Sequence, residues 1–211
     1  MVPKLQAVKD VWKSDEGWSQ IDHKASDLII ETKKAQNGIN YMRAHGSVNF
    51  SAVDCYRCMG NLDKEWKRQW DENCDFTEHL QKVGVNSYVT YNKTKGMYVV
   101  SSRDFVMNFI MNEEADGTII DCVTSEKVEF DCPEKKGTVR AFTQLTGKIL
   151  KPDPANPNKC TMYSVAMFDI KGQIPGWALA GAIKDQGLQI DKLRQVMPKW
   201  KSKFPSDERP N

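Results

Sequence analysis

No stretch of this 211-residue chain approaches the roughly 18 consecutive apolar residues that a membrane-spanning helix needs. Residues 1–12 contain no apolar block of the kind that opens a secretory leader. These two absences together predict a cytoplasmic location. Cysteine is sparse for a disulfide scaffold, six residues at irregular spacing. Histidine is scarcer still, and His23, His45 and His79 show no metal-ligand spacing, so no metal or cofactor is expected. Neither sign of charge dominates. Thirty basic residues are interspersed with 28 acidic ones, which gives no reason to expect nucleic acid as a partner, though transient contact with an anionic membrane surface stays open. Repeats and low-complexity segments are absent. One domain over 1–211, with a mobile polar tail from about residue 200, is the expected organisation, and a monomer the expected state.

What is present is a pattern that changes period along the chain. Val2, Leu5, Val8 and Val11/Trp12 fall at helical spacing. Strand-like segments follow at 18–23, 27–33 and 39–50, with Asn37-Gly38 as a hairpin turn between the last two. Ser51 can cap a helix over 52–59, and a second helix over 62–70 places Trp66 and Trp70 one turn apart. Six more strands are predicted at 76–83, 87–93, 105–112, 118–125, 138–150 and 161–170, with Asp116-Gly117 as a hairpin turn and Pro152, Pro154 and Pro157 in a loop. The last element is a helix over about 175–197, with Leu179, Ile183, Ile190, Leu193 and Met197 as its apolar stripe. The predicted class is therefore α+β: a curved antiparallel sheet of nine strands covered by a long C-terminal helix.

Alternation assigns the faces. Phe105, Met107, Phe109 and Met111 share one side of their strand and are placed inward, with Asn108 outward. Val139, Ala141, Thr143 and Leu145 are placed inward on the later long strand. Methionine suits an irregular space that must adapt to its contents. Periodicity alone favours a filled core. Cys55-x-x-Cys58 lacks a second pair and reads as structural. Arg103 and Asp104 are expected to pair with the Trp70-Asp71 turn. Gly176, Ala178, Ala180, Gly181 and Ala182 give the start of the last helix a small-residue surface that permits close approach to a ligand or to the sheet. Gly187 weakens the helix interior by about 1 kcal/mol relative to Ala, and is expected to let the helix deform.

Four motifs in order, Arg68-Gln69-Trp70-Asp71, Ser102-Arg103-Asp104-Phe105-Val106, Gly137-Thr138-Val139-Arg140-Ala141 and Phe168-Asp169-Ile170-Lys171-Gly172-Gln173-Ile174-Pro175-Gly176-Trp177, resemble those of the START domain, a lipid-transfer module. The resemblance implies a helix-grip fold with a tunnel between sheet and C-terminal helix holding one lipid, a phospholipid or a sterol. Tunnel contacts are then expected from Asn92, Phe105, Met107, Phe109, Met111, Val139, Ala141, Thr143, Leu145, Ser164, Phe168, Leu179, Ile183 and Ile190. The resemblance makes the helix and the 93–98 loop the gate. Lys95, Met97 and Tyr98 there would meet a membrane or pack on the helix. Sterol-binding members often carry an acid–base pair in the tunnel. The matching positions here hold Asn92 and Phe109, so an interior without charge is expected, with Asn92, Asn108, Thr143 and Ser164 as polar contacts for a head group. Two other functions remain open on this scaffold: an enzyme acting on a hydrophobic substrate, and a lipid sensor that regulates a partner protein.

Overall fold

A computed structural model describes residues 2–34, 39–96 and 100–205. Its elements run α1 (Val2–Asp10), β1 (Ser19–Gln20), β2 (Leu28–Lys34), β3 (Asn40–Val48), α2 (Ala52–Gly60), α3 (Lys64–Lys67), β4 (Cys74–Gly84), β5 (Ser87–Thr94), β6 (Ser102–Glu113), β7 (Ile119–Thr124), β8 (Thr138–Arg140), β9 (Phe142–Asp153), β10 (Asn156–Asp169) and α4 (Gly176–Lys203). Nine strands form an open antiparallel sheet in the order β1-β2-β3-β10-β9-β7-β6-β5-β4, and short β8 lies parallel to β6. Sequence periodicity anticipated this architecture. The differences are local. The strand expected over 138–150 is broken at Ala141: residues 138–140 pair with β6 in parallel, the Ala141 amide donates to the carbonyl of Asp104 on that same strand, and β9 begins only at Phe142. The proline-marked loop is a tight hairpin, because both flanking strands run on into it. The expected Asn37-Gly38 turn lies outside the described residues.

Helix ends are set as the side chains dictate. The Ser51 hydroxyl accepts the Asp54 amide at 3.1 Å, and the Asp63 carboxylate accepts the Trp66 amide at 2.7 Å. Each supplies a partner that the first turn of a helix lacks.

The concave side carries the main core. On α4, Ile183, Ile190, Leu193, Met197 and Trp200 are buried, and they pack with Leu28, Ile30, Met42 and Ala44 of β2 and β3 and with α2. Full burial of such a side chain is worth roughly 1.5–3 kcal/mol. Helix and sheet approach closely at Gly187, where a Cβ would stand 2.5 Å from Ile30 Cγ2. That contact accounts for the glycine, and corrects the expectation that it serves helix bending. Of the tail expected to be mobile from about residue 200, the first residues are packed, while 206–211 lie outside the described residues. Helix α4 continues to Lys203, Trp200 is only 2% exposed, and Phe204 packs on the Trp66 and Trp200 rings.

On the convex side α1 sets Leu5 and Val8 against Ile120, Cys122, Leu145 and Val165. Gly147 lets Val8 in, since a Cβ there would meet Val8 Cγ2 at 2.5 Å. A third cluster lies under segment 128–132, where Val128, Phe130 and Cys132 cover Val89, Tyr91 and Val106. Asp104 anchors this region. It receives the Arg140 guanidinium at 2.8 Å and the Tyr91 hydroxyl at 3.1 Å. Arg103 donates to the Ile170 and Lys171 carbonyls at 3.0 and 3.1 Å, tying the start of β6 to the loop that feeds α4. The expected pairing with the Trp70-Asp71 turn is thereby corrected.

Candidate functional site

The other half of the concave face is not covered by packed side chains. Between β4–β7, β9, α2, α3 and the first half of α4 lies a cavity of about 1020 Å³. It stands at the top of the roughly 300–1,000 Å³ range of small-molecule sites. Its floor is a set of cross-strand rows. Asn92 and Phe105 lie side by side, as do Thr90 and Met107, Tyr88 and Phe109, then Phe109 with Val123 and Met111 with Asp121, continuing to Thr146 and Lys148 on β9. The roof is the α4 face carrying Trp177, Ala178, Gly181, Ala182, Asp185, Gln186 and Gln189. Trp177 is 69% exposed and Leu62 39% exposed, which marks where the cavity meets the outside.

Of the residues expected at a tunnel, Asn92, Phe105, Met107, Phe109, Met111, Thr143 and Phe168 border this cavity together. Asn108 is on the outer face, its amide donating to the Glu126 and Lys127 carbonyls at 3.2 Å each. Seven others stand elsewhere. Leu145 sits under α1 because β9 carries a bulge: Thr143 pairs with Phe168 but Leu145 with Met167, so Gln144 is an extra residue. The bulge reverses the alternation, and from there Thr146 and Lys148 point inward instead. Val139 lies in β8, and Ala141 is buried at the break before β9. Ser164 is buried in the ladder between Ala44 and Lys148. Ile190 is spent in the core against the sheet. Leu179 and Ile183 border a separate pocket of about 170 Å³ with Ile39, Asn40 and Gly172. The helix stripe was assigned to the tunnel on hydrophobicity. The stripe packs on the solid half of the sheet, and it is the small and polar stripe that faces space.

At the expected gate, Lys95 borders the cavity and donates its ammonium to the Glu72 carbonyl at 2.6 Å. Met97 and Tyr98 lie outside the described residues. Cys55 of the C-x-x-C faces Cys160, Sγ to Sγ 3.8 Å, rather than Cys58, and the Cys160 contact and burial raise its thiol pKa well above the ordinary value.

The expectation of an interior without charge is corrected. Lys67, Asp71, Asp121 and Lys148 all border the cavity. Burial pushes the Asp71 and Asp121 carboxyls up and the Lys67 ammonium down, while the opposite charges of the group partly offset each shift. His79, lowered by burial and then by Lys67, stacks on Tyr88 at 4.3 Å between ring centroids. Burial, Asp121 and Tyr88 together raise the Tyr56 phenol beside them. One signal for this was present in the chain. Asp121 is a lone acid within the apolar run Ile119-Ile120-Asp121-Cys122-Val123, and a charge in such a strand either faces solvent or faces something it binds.

Comparison with known proteins agrees with this architecture. The family model of the START domain matches residues 3–189. "StAR-related lipid transfer protein 5" of Mus musculus is 28% identical over 138 residues, covering 64% of this chain and 64% of that protein. "Steroidogenic acute regulatory-like protein 1" of Caenorhabditis elegans is 30% identical over 107 residues, 51% of this chain and 41% of that one. The matched stretch thus spans less than two thirds of these relatives' length. Among solved structures, human StAR-related lipid transfer protein 5 superposes with a TM-score of 0.78 at 22% identity, covering 94% of this chain and 97% of that one. Human STARD10 superposes with a TM-score of 0.79 at 20% identity, covering 98% and 84%.

Proposed function

The chain belongs to the START domain family, and from that premise we propose that it takes one lipid molecule into its cavity and carries it between membranes without altering it. The carrying observation is the cavity itself, about 1020 Å³ beneath α4 with Phe105, Met107, Phe109 and Met111 along its floor. Relatives named as lipid transfer proteins support the reading. Burial of an acyl chain is worth about 0.8 kcal/mol per CH₂ relative to water. Relative to a bilayer that gain nearly vanishes, so uptake and release are both accessible. What the protein supplies is shelter across the aqueous gap, with the lipid as ligand, no cofactor, and the chain acting as a monomer.

Entry in this proposal is past the first turns of α4 and the segment around Lys95. Exposed Trp177 and Leu62 would enter the membrane interface while Lys95 attends anionic head groups. Among the described residues no helix is long and apolar enough to cross a membrane, so the contact proposed is peripheral.

A vesicle assay tests the reading. Donor vesicles carry a self-quenched fluorescent phospholipid or sterol, and acceptors carry none. Micromolar protein should speed the fluorescence gain in proportion to its concentration. A rate equal to that of buffer would reject transfer, and lipid retained on the protein without transfer would point to a sensor. Lipid recovered from acceptors in altered form would reject the non-enzymatic part of the proposal.

A further inference from the structure

Six large apolar side chains are exposed among the described residues, and two of them stand together at the turn between β4 and β5. Val83 is 52% exposed and Val85 87%, the latter more than any other of the six. A single exposed aliphatic is ordinary; two within three residues at a hairpin tip are not. The strands are joined by two residues only, Val85-Asn86, between the paired Gly84 and Ser87. Turns this short select Gly, Asn, Asp or Ser, which tolerate left-handed backbone or bond to it, and a β-branched residue does neither. Val85 and Asn86 are not among the residues of positive φ, so closure relies on the register shift between Lys82 and Gly84. A local rule broken at so exposed a point serves something outside the fold.

The flanking residues show what that is. Lys82 and Tyr88 are paired across the ladder just inside the turn, with the Lys82 ammonium 6.0 Å from the Tyr88 ring centroid. Apolar groups at the tip, then a tyrosine and a lysine whose head can reach water, form the layering of a segment that dips into a bilayer interface. Basic residues do not gather there. The β6–β7 turn at the same end of the sheet carries Glu113, Glu114 and Asp116, and Lys9 pairs with Glu114 at 2.5 Å. The tip therefore suits a bilayer surface without net charge. A strand of another protein is a poorer occupant. β4 is the edge of the sheet, but its register shifts three times, between Cys74 and Phe76, His79 and Gln81, and Lys82 and Gly84, and an irregular edge resists strand addition.

The tip also stands far from the opening at Trp177. From Ser87 at the turn to Thr94, β5 covers about 25 Å at roughly 3.4 Å per residue. Thr94 adjoins Arg103, whose guanidinium holds the Ile170 and Lys171 carbonyls ahead of α4. Asn86 and Tyr88 border the cavity at one end of β5, as Lys95 and Trp177 do toward the other.

We propose that the β4–β5 turn is a second membrane-contact surface, with Val83 and Val85 entering the interface of a zwitterionic bilayer and Lys82 and Tyr88 at head-group level. It lies at a different end of the molecule from the entry described above, and stands whether or not lipid is transferred.

Five of the six cysteines are buried, so Val85→Cys in a Cys132→Ser background takes one environment-sensitive fluorophore at the turn. With phosphatidylcholine vesicles its emission should rise and shift to the blue, in high salt as in low, because apolar insertion is not screened. The same change should persist when Trp177→Ala is added. In an unlabelled Trp177→Ala background, Val83→Ser with Val85→Asn should reduce the fraction of protein floating with these vesicles by on the order of tenfold, the factor that burial of a single valine supplies. Both positions are exposed enough for polar residues to leave the fold intact, which an unchanged Tm confirms. Emission indifferent to vesicles would overturn the proposal. So would a change that Trp177→Ala abolishes, which would leave one contact at the other end. A change that follows protein concentration without vesicles would assign the turn to a second copy of the chain and overturn it likewise. Failure of transfer while the turn still inserts would overturn the transfer reading alone.

Discussion

The two halves of the sheet treat the same helix in opposite ways. Beside β2 and β3, α4 is driven down until Gly187 touches Ile30, and Ile190, Leu193 and Met197 are wholly buried. Over β5–β7 the same helix stands off, and its Gly181, Ala182, Gln186 and Gln189 border open space. One side stabilises the fold; the other is held open by it. The lesson is that a hollow in a protein is made by an adjoining region packed well enough to bear the cost of the void, which forgoes contacts that a filled core would have.

Truncation should therefore cost very different amounts on the two sides. Leu193→Ala removes a wholly buried side chain from the packed half and should cost about 2–5 kcal/mol in urea unfolding. Phe109→Ala, in the hollow half, should lose far less than the ~3–5 kcal/mol typical of a core phenylalanine, because its ring already borders the cavity. Equal losses would erase the distinction between the halves. Gly187→Ala should come next, with about 1–3 kcal/mol of overpacking against Ile30 offset by about 1 kcal/mol of helix propensity. The measured midpoint should fall; a rise would mean the contact is slack.

Asp121→Asn should do the reverse and stabilise the lipid-free protein. The carboxyl's folded-state pKa is raised by burial, so the native state holds its proton more firmly than the unfolded state does. The cost of ionising it grows as pH climbs from the ordinary carboxylate range through the raised value, and is fully present above that. The variant's Tm should exceed wild type's at neutral pH, by about 2–4 °C for each kcal/mol removed, and the gap should shrink on acidification. A gap that widens toward acid would contradict the assignment. Smallest of all, Trp177→Ala should leave Tm unchanged, since the ring is 69% exposed, while slowing transfer from anionic vesicles. An unchanged transfer rate would remove Trp177 from the membrane contact.

How much of this the chain declared in advance varies with the kind of signal. The Phe/Met row of β6 was legible because it alternates without interruption, and the succession of strands along the chain and the long final helix followed from periodicity and turns. Leu145 was not, because one extra residue at Gln144 reverses every later side chain on β9 and leaves no mark in composition. The roof was misassigned for a different reason. A helix on a half-filled sheet has two functional stripes, and hydrophobicity points only to the one that packs, such as Ile190, and away from Gly181 and Gln186. Lys67 and Asp71 lay hidden in a short charged helix and turn, and only the fold brings them to the same cavity as Asp121 and Lys148.

Native mass spectrometry on protein incubated with mixed phospholipid vesicles and separated from them tests the central claim most directly. Each chain should carry a single lipid, lost together with the added mass when the complex is activated in the gas phase. Protein that stays at its bare mass after such exposure would contradict the account.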